Sequence, residues 1–340
     1  MHDVPRRIDK SMSILAAFIL STQARVDVRI QDDEAQAVIR AARAFNNDPS
    51  TLDTQFQKVT ETLGYQRLKE REISMGRPFD EQEFRALIQD IEPRKASELE
   101  STLIAWTRMG VSRSARQALF YLPSSAVIRA KVYPVIKPKT NSFVFDTQGD
   151  PSIFLYLDPK QTPEQFMNTV THELHHIGLS SCKTPAGVSA QLDKLGAGPR
   201  SAAGWVSAFG EGLAMLAAAG GADIHPHAVS PKADRERWDH DVANFDTDLR
   251  AVEAFLLRVA NGKLTHEEEQ KAGMEFFGVQ GPWYTVGWKM AVTIEKAKGH
   301  QALVGCMTDM RQLLKLYNEC ADGSPGRAKW SPLLLSKLGL

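Results

Sequence analysis

A chain of 340 residues with 43% hydrophobic and 24% charged residues has material for one large domain or two lobes with a substantial core. Its 41 basic residues are matched by 41 acidic ones, and no basic stripe interleaved with aromatics is present, which argues against nucleic-acid binding. The three cysteines, Cys182, Cys306 and Cys320, make no disulfide framework; the last two fall along one predicted helix, too far apart to bridge if it is continuous.

Arg6, Arg7 and Lys10 precede a short apolar run, Met12 to Leu20, and Thr22-Gln23-Ala24 offers a small-residue cleavage site. That is the grammar of a signal peptide over residues 1–24, which would place the mature chain in the periplasm or outside the cell. The alternative is a short amphipathic helix of a cytoplasmic protein, towards which Asp3 and Asp9 weigh. No later run reads as long enough to span a membrane.

Val26 to Ile30 alternates and predicts a short strand. From Asp33 to about Glu70 the pattern is helical, with Ala35, Val38, Ile39, Ala42 and Phe45 sharing a face. Asn46 to Ser50 forms a loop, and Gly64-Tyr65 and Gly76 to Pro78 are further breaks. Asp80 to Asp90 and Ala96 to Met109 predict two more helices. Residues 25–123 thus read as a helical N-terminal lobe whose charges form solvated faces. Composition shifts at Ser124. Ala126 to Ile136, Ser142 to Asp146 and Ser152 to Leu157 are rich in β-branched and aromatic residues, with a turn at Gln148 to Pro151. Such strands could pair with an extended peptide or simply cover the helix that follows.

That helix opens at Thr162-Pro163-Glu164-Gln165, a capping box with proline in the first turn. Phe166, Val170, Leu174 and Ile177 form its apolar face. On it lies His172-Glu173-Leu174-His175-His176, which fits the H-E-x-x-H pattern of zinc hydrolases. Histidines four apart project from nearly one face, so both can reach one ion. The intervening Glu173 does not ligate; it faces a cleft and accepts a proton from the water that the metal activates. His175 falls on the far, wetter side of the ligand arc and reads as a surface or supporting histidine.

The helix is expected to end after Gly178, with a small-residue loop through Gly187, Gly196, Gly198 and Pro199. A metzincin would need glycine at 179 and histidine at 182; Leu179 and Cys182 exclude that subclass. Trp205 to Ala219 predicts a buried helix closed by Gly220-Gly221. Glu211 is the sole charged residue between Ser201 and Gly221. A lone carboxylate on so apolar a helix is costly to bury unless something compensates it. A zinc ion would do so, with Glu211 as third ligand. Cys182, Asp193, Asp223, His225 and His227 are the competitors. Asp239 to Val259 predicts one helix, and Thr265 to Glu268 a capping box for the next. Pro282 starts a helix to about Lys298, with Tyr284 in its first turn. That phenol could donate to the oxyanion of a tetrahedral intermediate. The alternative, which the residues alone favour, is a buried tyrosine with an ordinary hydrogen bond. Ala302 to Tyr317 and Pro332 to Leu338 complete the helices.

The segments His172 to His176, Phe209 to Ala214 and Gly281 to Gly287 together resemble the gluzincin peptidases, and more closely the uncharacterised bacterial families of predicted zinc-dependent peptidases. The resemblance runs from about Ser124 to Lys298. It implies a mainly α (α+β), zincin-like fold, with a small sheet beside the active-site helix and the helical lobe preceding a metallopeptidase region at 124–340. It implies one zinc held by His172, His176 and Glu211, with Glu173 as general base, Tyr284 as transition-state donor and a peptide or protein as substrate. One position departs from it: thermolysin-like enzymes carry an acid four residues after the ligand glutamate to orient a histidine, where this chain has Met215. A zinc hydrolase of a non-peptide amide or ester, or a non-catalytic helical protein holding a metal, are the alternatives. Three good ligands without a convincing fourth favour catalysis over a structural ion.

Overall fold

The computed structural model describes residues 25–322 and 326–340; the expected signal segment lies outside them. The protein is mainly helical with one small mixed sheet. The alternating run becomes strand β1, Val26–Ile30. Six helices follow: α1 Asp33–Asn47, α2 Leu52–Thr60, α3 Leu63–Ser74, α4 Glu81–Asp90, α5 Pro93–Met109 and α6 Ser112–Phe120. The last, rich in serine and arginine, is absent from the sequence expectations. Strands β2 Ile128–Val135, β3 Phe143–Phe145 and β4 Ser152–Tyr156 come next.

The strand order is β1-β2-β4-β3. β1 and β4 flank β2 in parallel, and β3 pairs antiparallel with β4 at the edge. β2 is the central strand and is apolar along nearly its whole length, as burial on both faces demands. Pro134 is tolerated there because the ladder with β1 has already ended at Val132. On one face of the sheet, Tyr133 stacks on Phe154 at 4.7 Å, beside Gly64 of α3. On the other lies helix α7, Pro163–Ser180. Both halves of its capping box form, and Phe166, Val170, Leu174 and Ile177 are buried. Trp106 of α5 stacks on Phe166 at 4.5 Å. Gly178 lets α7 close on the sheet, since a Cβ there would lie 2.3 Å from Leu122 and 3.0 Å from Ile128.

The expected loop after α7 contains helices α8, Ala186–Asp193, and α9, Ala197–Val206. Pro199 sits in the first turn of α9, where its missing N–H costs nothing, so a residue read as a breaker is an initiator. A 3₁₀ turn joins α9 to α10, Gly210–Ala219. The combined run Ala197–Ala219 is long and apolar enough to cross a membrane, contrary to expectation, yet 67% of that window is buried inside the protein. Its apolarity is that of a core helix. Gly220 closes α10 at φ +86.

The remaining helices are α11 Lys232–Ala243, α12 Phe245–Ala260, α13 His266–Glu275, α14 Pro282–Lys298, α15 His300–Cys306, α16 Arg311–Ala321 and α17 Pro332–Lys337. The helix predicted over 239–259 is interrupted at Asn244 and that over 302–317 between Cys306 and Arg311. The cysteines are free.

Two contacts in this framework yield predictions. α10 and α14 cross at bare backbone: a Cβ on Gly212 would stand 2.0 Å from Trp288 N, and one on Gly287 2.8 Å from the Phe209 carbonyl oxygen. Gly212→Ala should cost about 3 kcal/mol or more. Gly204→Ala, exposed on α9 with nothing within 4 Å of the added Cβ, should gain up to about 1 kcal/mol. Urea unfolding of both variants checks this, and equal behaviour would refute the tight crossing.

Glu34 of α1 is fully buried and its Oε2 accepts the Ile136 N–H at 2.9 Å. Burial pushes its carboxyl up from 4.5 to about 8, against the Ile136 N–H, which favours the charged form. The folded state therefore keeps a proton that the unfolded state releases. Stability from this group is lost as pH rises from 4.5 to about 8. Glu34→Gln should flatten that part of the pH profile, as measured by denaturant midpoints at pH 5 and pH 8. A slope that survives the substitution would assign it elsewhere.

Candidate metal centre

Helical spacing on α7 brings His172 Nε2 and His176 Nε2 to 3.0 Å. Glu211 enters from the first turn of α10, where a negative charge suits the helix dipole. Its Oε2 lies 3.1 Å from each imidazole nitrogen. The side chains are 13%, 28% and 18% exposed, in the order His172, His176, Glu211. These three form the one cluster among the described residues whose ligand atoms converge closely enough to hold a metal ion.

The donor set fits zinc. Ligand atoms about 2.0–2.1 Å from a tetrahedral ion stand roughly 3.3 Å apart, close to the separations found here. Two imidazoles and a carboxylate brought together at such distances are all electron-pair donors, and a cation reconciles them. The charges lean the same way. Burial works against the Glu211 carboxylate, but the hydrogen bonds from His172 and then His176 hold it well below the usual carboxylate range. Burial would lower His176, yet the Glu211 hydrogen bond and charge raise it.

The competing ligands are engaged elsewhere. Asp223 pairs with Lys296 at 2.7 Å, His225 with Asp239 at 3.0 Å, and Asp193 lies 3.8 Å from Arg200. Cys182 stands near Ser125 and the Gly178 carbonyl.

Glu173 and Tyr284 line the same cleft as His172, a cavity of about 520 Å³. The α10–α14 crossing sets Tyr284 beside Glu211. Burial first, then the Glu211 charge and hydrogen bond, push its phenol well above the ordinary range. The Tyr284 ring lies 14° from parallel to that of His172, with centroids 6.2 Å apart. Met215 also lines the cleft and is buried. Among the described residues, Glu211 is the carboxylate in reach of either ligand-type imidazole.

His175 corrects the sequence reading. It is completely buried, with Nε2 3.1 Å from the Tyr121 carbonyl, to which it donates. Burial, with His176 adding to it, pushes it down to about 3. Helix α6 covers this side of α7 (Ser114 Oγ donates to the Met167 carbonyl at 3.0 Å), and α6 is the helix that periodicity missed. His227, a competing ligand in the sequence reading, stands on the other wall of the cleft with Ser230, Asp234, Arg237 and Gln280, which sequence reasoning did not single out.

The fold and centre thus define a helical protein with a two-histidine, one-glutamate group able to hold a metal beside a polar cleft. Residues 56–325 match the model of a family described as "Putative zinc dependent peptidase", and the chain belongs to that family. The match takes in helices of the N-terminal third as well as the centre. No curated protein and no solved structure matches the chain.

Glu211→Gln should cut zinc affinity by more than roughly a hundredfold, beyond the 10–100-fold typical of outer-shell changes. Metal analysis after dialysis, with a competing chelator, measures it. Wild-type retention in this variant would remove Glu211 from the ligand set.

Proposed function

We propose that this protein is a gluzincin-type, zinc-dependent peptidase that uses His172, His176 and Glu211 to hold one zinc. The observation that carries the reading is the convergence of those three groups at 3.0–3.1 Å beside the cleft that His172, Glu173 and Tyr284 line. The zincin-like reading of the fold is supported by the sheet: the strand inside its antiparallel edge, β4, leads straight into the H-E-x-x-H helix.

Zinc, when bound, lowers the pKa of a water molecule and polarises the substrate carbonyl. Glu173, one residue from His172 and facing the cleft, takes the proton of the attacking water on its carboxylate and passes it to the leaving amine. Tyr284 keeps its proton, as burial beside Glu211 requires, and so remains a donor. Its O–H donates to the oxygen that gains charge as the carbonyl becomes tetrahedral. α7 and α10 hold the ligand side chains largely buried, which limits access of bulk water. The outer edge of β3, unpaired with any described strand, offers main-chain groups to an extended peptide.

Glu173→Gln should keep its zinc and lose hydrolysis by roughly 10²–10⁴-fold. Loss of the metal from a folded Glu173→Gln protein would make Glu173 a ligand and sink the mechanism. Tyr284→Phe should lower kcat roughly ten- to a thousandfold while KM and zinc content hardly move. If the phenol serves packing alone, the same change lowers Tm and leaves kcat intact. Steady-state kinetics and a melting curve on one preparation separate the two.

A further inference from the structure

A second cavity, of about 220 Å³, opens beside the metal cleft. Asn168 of α7 lines both. The segment between α10 and α11 also borders both, with His225 and Pro226 on this cavity and His227 and Ser230 on the cleft. Met109 at the end of α5, Met167 of α7, Ala218 of α10, and Ile224 and Val229 of the following loop supply its apolar walls. Met109, Ile224 and Val229 are 42%, 45% and 37% exposed. Exposed apolar residues scattered singly need no explanation. Three of them bordering one cavity that adjoins the metal cleft call for an occupant.

The polar side chains of the lining are spent on the protein itself. Gln117 Nε2 donates to the Ala217 and Ala218 carbonyls, each at 2.9 Å, and Asn168 Nδ2 to the Ala218 carbonyl at 3.1 Å. Those carbonyls are among the last of α10, which the helix itself leaves without partners. The same bonds thus close the helix end and fix the floor of the cavity. Thr171 Oγ1 donates to the Met167 carbonyl at 2.8 Å. His225 stands 3.0 Å from Asp239, and its Nδ1 accepts the His227 N–H at 2.9 Å. Arg113 and Glu164 bring one charge of each sign, so the lining favours neither an anion nor a cation. What remains for an occupant is chiefly hydrocarbon and the thioethers of two methionines, whose unbranched chains adapt to more than one apolar shape.

We propose that this cavity selects the substrate by taking a large apolar side chain two residues from the scissile bond. This rests on the peptidase reading and adds what its cleft prefers. The placement follows from α7: Asn168 lies one turn before His172, roughly 6 Å along the axis, and Glu164 two turns before it. An extended chain advances roughly 3.3 Å per residue, and its side chains alternate in direction. The residue next to the reacting carbonyl therefore stops short of the cavity mouth, and the second reaches it. The cavity is large enough for leucine, methionine or phenylalanine, whose burial there removes apolar surface of both partners from water. The substrate class is a peptide carrying such a residue at that place.

The test uses inhibitors that anchor on zinc and need no turnover. Two pairs of capped peptide hydroxamates differ only in leucine for alanine at the second residue from the anchor. One pair extends on the acyl side, the other on the amine side. In the zinc-loaded wild type the leucine member of one pair should bind at least about tenfold tighter than its alanine partner. Val229→Asp and Ile224→Asp, each at a partly exposed position, should bring that ratio below about threefold, and Val229→Ile should keep it. Zinc content and melting curves check that each variant folds; should an aspartate variant fail, Val229→Ser takes its place. A ratio that persists undiminished in the folded variants overturns the pocket and leaves the peptidase reading standing. Ratios near one for both pairs in the wild type do the same. Failure of every hydroxamate to bind overturns the metal centre, and the pocket with it.

Discussion

Two glycines in contact set the geometry on which the site depends. Gly212 and Gly287 let α10 and α14 cross with backbone against backbone. Each sits beside a functional group: Glu211 precedes Gly212, and Tyr284 lies one turn before Gly287. A side chain at either glycine would force the helices apart by the width of a methyl group or more, and interiors packed to crystal-like density do not absorb that locally. The crossing thus fixes where a carboxylate and a phenol stand relative to the imidazoles of α7. Nearby packing reinforces it: Trp283 of α14 is buried against Phe209 with ring centroids 4.9 Å apart.

Electrostatics then explains why so apolar a helix tolerates Glu211. The residues after it on α10 are almost wholly buried, and an uncompensated carboxylate there would be expensive. Compensation comes from the imidazoles facing it at 3.1 Å, and from its place in the first turn of α10. The same charge acts on its neighbours. It raises His176 and helps keep Tyr284 protonated. A cation at the centre would need both imidazole nitrogens unprotonated, so metal and proton would compete for the same place.

Much of the centre was legible because its signals are local. H-E-x-x-H spacing, the Thr162 capping box and the lone acid on an apolar helix are each contained in one helix, and each is where the residues put it. Sheet strands were legible for the same reason, from β-branched runs bounded by turn residues. What failed depended on partners far away in the chain. His175 is buried because α6, some 55 residues earlier, covers it, and periodicity on α7 alone cannot see that. Pro199 and its glycines look like a loop until α12 is in place: a Cβ on Gly198 would lie 2.7 Å from the Ala260 carbonyl oxygen. Glycine there serves close approach, not flexibility. His227 and Gln280 come from loops on either side of three helices, and only the fold places them on one wall.

The buried His175 resolves part of a difficulty that the sequence raised. With Met215 in place of an acid, no described carboxylate other than Glu211 holds an imidazole of the centre. Orientation must come from elsewhere. His175 lies between His172 and His176 in sequence but projects to one side of them, towards α6, with its ring centroid 6.4 Å from that of His176. Its Nε2–H bond to the Tyr121 carbonyl is buried on all sides, so breaking it would leave an amide carbonyl and an imidazole N–H without water or partner. That bond fixes the roll of α7 about its own axis. A helix rotated by even part of a residue step would swing both ligand-type imidazoles away from Glu211, because all three histidines turn together. Gly178 acts with it by seating α7 against Leu122 and Ile128. Rigid placement of the whole helix can therefore do for this centre what a dedicated carboxylate does ring by ring in thermolysin-like enzymes.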